Sequence, residues 1–204
     1  MRSRNTILFL SDERIQLMKC ISVFVPIATG LLWGIHTLQN YSVLFAACLF
    51  VFGWLCWTFA EYITHRFFMH PKHAANKHGK GRHHEHHIHP THIKITGTQR
   101  FVFFSVLLLL LLLNMLLPVY FIIFTGLYSG FVWYCYMHVI LHKTWAARVF
   151  PGLQANHVFH HCKYPDKCFG VSVSWWDMIF KSMAPKEAGI TDRIRRFYFT
   201  GKAS

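Results

Sequence analysis

The sequence predicts an all-α integral membrane protein, one domain over residues 1–204, with four transmembrane helices and a cytoplasmic helical cap that gathers most of the histidines. Three observations predict it. Apolar residues make up 53% of the chain and charged residues 14%, which is low for a soluble domain. The apolar residues fall in runs near the ~20 residues that a spanning helix needs. And the 21 lysines and arginines all fall on one side of the layout those runs define.

The first predicted span is Met18–His36, read as a signal anchor because no cleavable leader precedes it. The second is Ser42–Ala60, continuing as helix out of the membrane toward His70. The third is Phe101–Leu117, with "VLLLLLLLNMLL" inside it, and Pro118 ends it because proline cannot continue helical hydrogen bonding. The fourth is Val119–Val139, continuing toward His142. The third and fourth form a tight hairpin. The third is short, so a hairpin that only dips into the bilayer is the alternative.

Lysine and arginine number four up to Lys19, seven in residues 65–100 and ten from Lys143 onward. The link "TLQNY" and the turn at Pro118 have none. Basic residues mark the cytoplasmic side. Both termini and the cap regions, 61–100 and 138–185, are therefore expected in the cytoplasm. The net charge of +13 follows from topology, with attraction to anionic headgroups, and needs no nucleic-acid partner. The six cysteines, Cys20, Cys48, Cys56, Cys135, Cys162 and Cys168, include no CxxC pair and read as reduced packing residues.

Ten of the 16 histidines fall into four groups. His65 and His70 form HxxxxH. His83, His86 and His87 form HxxHH within "RHHEHHIHP". His138 and His142 form HxxxH, and His157, His160 and His161 form a second HxxHH. Helix residues three and four apart share a face, so each HxxHH is expected to point three imidazoles one way. The first pair, five apart, needs a distorted turn or a helix end. All four groups lie at or beyond the cytoplasmic ends of spans, where they can meet at one depth. Ten imidazoles exceed the four ligands of one zinc and suit two metals of five or six coordination, with iron, zinc, copper and nickel all open. His36, His73, His78, His84, His89 and His92 are expected to be ordinary surface or loop residues. The bland alternative, a metal-scavenging loop, explains one group but not four on one side.

With these groups laid out, the chain resembles the membrane fatty acid hydroxylase superfamily, which includes fatty acid 2-hydroxylases, sterol C4-methyl oxidases and related desaturases. The stretches that carry the resemblance are "EYITHRFFMH", "HHEHHIHP" with Pro90 three after His87, "HVILH", and "HVFHHCKYPDKCFGVSVSWWDMIF", together spanning roughly residues 55–185. Two positions depart from the pattern. Cys168 stands where many members have asparagine, and Lys181 where glycine is common. The His70–His83 connection is shorter than in typical fatty acid 2-hydroxylases and longer than in typical sterol oxidases. The resemblance implies two irons on the ten histidines, zinc being able to occupy the site, and hydroxylation of a lipid acyl chain of the fatty acid or sphingolipid type by O2.

No nucleotide-binding glycine loop, haem-attachment motif or iron–sulfur spacing is present. Electrons are thus expected from a separate protein, a ferredoxin or a cytochrome b5-like carrier, drawn to the basic face. Glu61, four before His65, is expected to support a ligand histidine. Asp177 is expected either to do the same, to cap, or to pair with an arginine, and Glu85 is the third carboxylate of interest. Tyr62, Trp175 and Trp176 read as interfacial anchors, and Ile190, Ile194, Phe197, Arg195 and Arg196 as a tail lying on the membrane. A sterol or carotenoid hydroxylase, or a desaturase, is the alternative within the same chemistry. The "FGVSVSWWD" tail favours the fatty acid and sterol branch over the carotenoid one. A metal transporter or sensor is the alternative outside it, but these spans lack the mid-membrane ligands a transporter needs. No ER retrieval signal is recognisable, which favours a bacterial inner membrane.

Overall fold

The computed structural model of the chain describes residues 34, 41–70 and 81–202. The described residues contain helices and no strands. The predicted span Met18–His36 lies outside them apart from Gly34, as do His73 and His78. Among the described residues, three helices are long and apolar enough to cross a membrane: Val43–Met69, Gly97–Leu116 and Val119–Leu141.

The first of these begins as α1, Val43–Ile63, capped where the Ser42 hydroxyl accepts from the Phe45 amide at 3.1 Å. It runs on without a break into a π-helical segment, Thr64–Met69. A short helix, α2 (Gly81–Ile88), follows and leads through a 3-10 turn at Pro90–His92 to α3, Gly97–Leu116. α3 starts four residues before Phe101, the first residue of the predicted span. The earlier start comes from a capping box: Thr96 Oγ1 accepts from the Gln99 amide at 3.2 Å, and Gln99 Oε1 accepts from the Thr96 amide at 2.9 Å. Twenty residues rise about 30 Å, so α3 has the length of a full span and a shallow dip is not required.

Pro118 ends α3 as expected. A 3-10 turn at Val119–Phe121 then leads into α4, Ile122–Leu141. The hairpin is tied inside the apolar layer, where the Asn114 amide nitrogen donates to Thr125 Oγ1 at 2.7 Å. A polar side chain buried among lipid-exposed helices needs such a partner.

The close helix pair is α1 with α4, and glycine makes it possible. A Cβ on Gly126 would lie 2.1 Å from the Phe50 carbonyl oxygen, and one on Gly53 2.0 Å from that of Ile123. A Cβ on Gly130 would lie 2.7 Å from that of Trp57. Gly126 and Gly130 form "GLYSG", a GxxxG pattern that brings membrane helices into backbone contact.

Beyond α4, a 3-10 turn (Thr144–Arg148) leads to α5, Pro151–Cys162, which starts with proline at its first turn. Then come α6, Trp175–Ile179, and α7, Asp192–Thr200. α5 is bolted to the end of α4 by Gln154, whose amide donates to the carbonyls of Leu141 at 2.8 Å and Lys143 at 2.7 Å.

Gly126→Leu is expected to separate α1 from α4 and to cost about 1–3 kcal/mol or more, as overpacking does, seen as a lower thermal midpoint in detergent. Gly152→Ala is the contrast, with nothing within 4 Å of the added Cβ. It is expected to leave the midpoint unchanged or slightly raised.

Candidate metal centre

The π-helical segment after α1 answers how HxxxxH brings its two rings together. A π turn closes with an i→i+5 bond, and the His70 amide donates to the His65 carbonyl at 3.1 Å. Residues five apart thereby complete one turn, and their rings lie 5.2 Å apart.

The ten predicted histidines converge, but not as two sets of intact motifs. One group is His65, His70, His83, His87 and His160. The other is His86, His138, His142, His157 and His161. Within each, one ligand atom per residue lies within 4.8 Å of all the others. Each HxxHH is therefore split. Its first and last histidines, four apart, join one group, and the third crosses to the other. The two helices do this in opposite senses. α2 gives two imidazoles to the first group and one to the second, while α5 gives one to the first and two to the second. The expectation of three imidazoles pointing one way is corrected by helix geometry: i and i+4 differ by about 40° around the axis and i+3 lies to the other side of i. The groups adjoin, with the His87 and His161 rings stacked at 4.2 Å.

The rings present their Nε2 atoms to one another. Nε2–Nε2 separations are 2.7 Å for His70–His83, 3.1 Å for His87–His83 and 3.2 Å for His65–His83. In the second group they are 2.8 Å for His86–His138 and 3.1 Å for His142–His157. Two imidazole nitrogens bound at right angles about 2.1 Å from a first-row metal ion lie about 3 Å apart, so the donor set fits a metal ion in each group. Among the described residues, the buried Nε2 atoms of His160 and His161 have no hydrogen-bond partner, as expected of nitrogens reserved for a cation. Burial holds the His86 pKa down at about 4 and pushes those of His83, His142, His157, His160 and His161 below the usual imidazole value, with neighbouring positive charge adding to the effect for all but His86. These six rings are thus neutral near pH 7, the form that binds metal.

Orientation comes from a loop. His65 Nδ1 donates to the Phe169 carbonyl, and His160 Nδ1 to the Lys167 carbonyl at 2.8 Å. A carbonyl can only accept, so both rings carry their proton on Nδ1 and leave Nε2 free to bind. The loop itself hangs on the two carboxylates singled out in the sequence. Asp177 accepts from the amides of Phe169 at 2.9 Å and Gly170 at 2.8 Å, and Glu61 Oε1 from those of Val171 at 2.8 Å and Ser172 at 2.9 Å. Four consecutive amides are held by two buried carboxylates. Glu61 acts on His65 through this loop and makes no direct bond to a histidine ring. Asp177 also accepts from Ser182 Oγ at 2.7 Å. Ser182 pairs with the Tyr62 hydroxyl at 2.8 Å, which accepts from Arg66. Tyr62 is therefore no interfacial anchor: it is 1% exposed and belongs to the loop's support. Glu85 is exposed, and His84, His89 and His92 stand outside both groups.

The two departures noted in the sequence, Cys168 and Lys181, are the positive-φ residues other than glycine among the described residues, at 56° and 53°. Asparagine and glycine tolerate this left-handed region better than other residues, which explains the residue types expected there. They flank the supported loop, where the Cys168 amide donates to the Ser182 carbonyl at 2.7 Å.

Sequence reasoning missed Tyr198. α7 brings its ring over His142, stacked at 4.5 Å, with the hydroxyl donating to the Leu141 carbonyl at 3.2 Å. The expected membrane-lying tail thus packs its buried tyrosine on the second histidine group, while Arg195 and Arg196 remain exposed.

Comparison with known proteins places these features in context. The family model for fatty acid hydroxylase matches residues 50–182, which include all ten histidines and both carboxylates. Fatty acid 2-hydroxylase of Mus musculus is 34% identical over 153 residues, covering 69% of this chain and 40% of the mouse protein. A dihydroceramide fatty acyl 2-hydroxylase of Arabidopsis thaliana is 31% identical over 150 residues, covering 68% of this chain and 61% of that protein. The chain thus spans less than two thirds of these relatives' length. The solved structure of full-length Scs7p, in which only the hydroxylase domain is visible, is 25% identical with a TM-score of 0.51, covering 82% of this chain and 67% of that one.

Asp177→Asn sets an NH2 group against amide donors and is expected to destabilise the protein by about 1–3 kcal/mol, read as a lower thermal midpoint, whereas Glu187→Gln on the exposed surface leaves it unchanged. The metal-free protein is expected to lose stability as pH falls. A histidine whose folded pKa lies below its unfolded value of about 6.5 binds fewer protons when folded. Its contribution is complete above pH 6.5 and is lost toward the folded value, about 4 for His86. Denaturant titrations at stepped pH should show the midpoint falling across that window.

Proposed function

We propose that this chain, which belongs to the fatty acid hydroxylase family, hydroxylates the acyl chain of a membrane lipid, of the fatty acid or sphingolipid type, using O2 and electrons from another protein. The observation that carries this is the pair of five-histidine groups, each with four buried members and adjoining, at the ends of membrane-length helices. The relatives named fatty acid 2-hydroxylase and dihydroceramide fatty acyl 2-hydroxylase support the substrate class.

The metals are proposed to be two irons, one per group. Bound there, iron supplies the oxygen chemistry that side chains lack, so that a C–H bond, O2, two electrons and two protons become C–OH and water. The chain's own residues set the conditions. Burial keeps the imidazoles neutral, the Phe169 and Lys167 carbonyls fix the rings of His65 and His160, and Tyr198 closes the second group behind His142. A lipid chain can approach from the bilayer because the groups sit where α1 and α4 end.

The proposed topology has four spans, with both termini and the histidine groups on the cytoplasmic side. The one-sided distribution of lysine and arginine supports it. The same basic face suits an acidic ferredoxin or cytochrome b5-like carrier, and screening by salt would then slow turnover. Transport of metal is not supported, because the polar side chain inside α3, Asn114, is engaged with Thr125.

The test measures metal per chain in protein purified without a histidine tag, together with the lipids of cells that express it. Two irons per chain and accumulation of 2-hydroxylated acyl chains are expected, with both lost in His86→Ala/His160→Ala, which removes one imidazole from each group. Substoichiometric, exchangeable zinc or nickel that survives the double substitution would overturn the reading.

A further inference from the structure

The helix α6 lies against the flank of α1. Val171 and Ser172 are held at the level of Glu61. Further along, Trp175 meets Trp54 edge-on at 6.0 Å, and Trp176 donates to Thr58 at 3.1 Å and packs on Phe59 at 4.9 Å. Phe180 then stacks on Tyr62 at 5.3 Å, and Ser182 bonds the Tyr62 hydroxyl. From Glu61 to Trp54, α1 travels seven residues, about 10 Å along its axis. The chain thus leaves the histidine end of α1, runs about 10 Å toward the helix's middle and returns.

The outer side of this excursion is apolar and bare. Met178 is 59% exposed, Ile179 61% and Phe180 42%. The charged residue within it, Asp177, turns inward with both oxygens hydrogen-bonded. The bare surface continues onto Leu55 and Phe59 of α1, also exposed. Since α1 has the length and composition of a membrane span, a surface continuous with its flank, and reaching to its middle, lies at the depth of acyl chains. A soluble cap would leave these side chains in water at the cost of their apolar area.

We propose that residues 173–180 form a membrane-inserted excursion whose Met178–Phe180 surface contacts lipid acyl chains directly, so that the segment continuous with the loop orienting His65 and His160 is itself seated in the bilayer. This rests on α1 as a spanning helix and is independent of which reaction the histidine groups support.

The test uses the full chain in phosphatidylcholine nanodiscs with Ile179→p-benzoylphenylalanine, irradiated and weighed intact. Leu109→p-benzoylphenylalanine on the exposed face of α3 is the lipid-facing reference, and Glu187→p-benzoylphenylalanine the water-facing one. A mass increase of one phospholipid at Ile179, in a yield matching Leu109 and above Glu187, is expected. Met178→p-benzoylphenylalanine gives a second reading of the same face, and the thermal midpoint reports that each variant is folded. A yield at the level of Glu187, or cross-linking to a second copy of the chain, overturns the proposal. Absence of lipid adducts at Leu109 as well would remove the spanning helices on which it depends, and the proposal with them, while leaving the hydroxylase reading to its own metal and lipid measurements.

Discussion

Ten imidazoles crowd into one small volume, eight of them with Nε2 atoms 2.7 to 3.2 Å from that of another ring, and the rest of the structure answers to that crowding. Lone pairs held so close repel unless a cation or a shared proton lies between them. Protonating the rings is no remedy, because buried like charges repel more strongly. The protein must therefore keep the rings neutral, aim them inward and hold them there against their own repulsion. Burial does the first, the Nδ1 bonds of His65 and His160 to backbone carbonyls contribute to the second, and a rigid surround does the third. That surround is built from helix ends, the π turn after α1, the Gln154 bolt and the loop 167–172.

The loop shows how far the support reaches. Two carboxylates that would be costly to bury unpaired accept from four consecutive amides, Glu61 through Oε1 alone, and the amides are satisfied by the carboxylates. Each partner is less expensive in the presence of the other, and burial still holds the Asp177 carboxyl above its ordinary range. The loop's fixed carbonyls then orient rings on α5 and on the π segment, elements far apart in sequence. Cys168 and Lys181 accept left-handed backbone at its margins, at a cost of about 1–2 kcal/mol each for a residue with a side chain. The hydrogen bonds they permit, including Cys168 N to Ser182 O, lie inside the same support.

Much of this was legible in the chain. Apolar runs locate the helices, and histidine spacing brings ten rings to one place. The capping box at Thr96 and the GxxxG of Gly126 and Gly130 were also written there, as local patterns that long apolar runs obscure. Other features were not local. The splitting of each HxxHH depends on how α2 and α5 face each other. The role of Tyr62 depends on Ser182, 120 residues away, and that of Tyr198 on where α7 folds back. An aromatic near a helix end reads as an interfacial anchor from sequence because the partner that buries it is invisible there.

The exchange of one histidine between each HxxHH helix and the opposite group has a consequence for how such a site can change over generations. A turn of α2 that improves His83 and His87 for one group necessarily displaces His86 from the other, and α5 imposes the mirror constraint. The two groups cannot be tuned, weakened or lost separately by adjusting a helix. An insertion of one residue between His83 and His87 would misplace rings in both. Drift in either half is checked by the other, so the spacing can stay fixed while loops, tail and lipid-facing surfaces diverge around it.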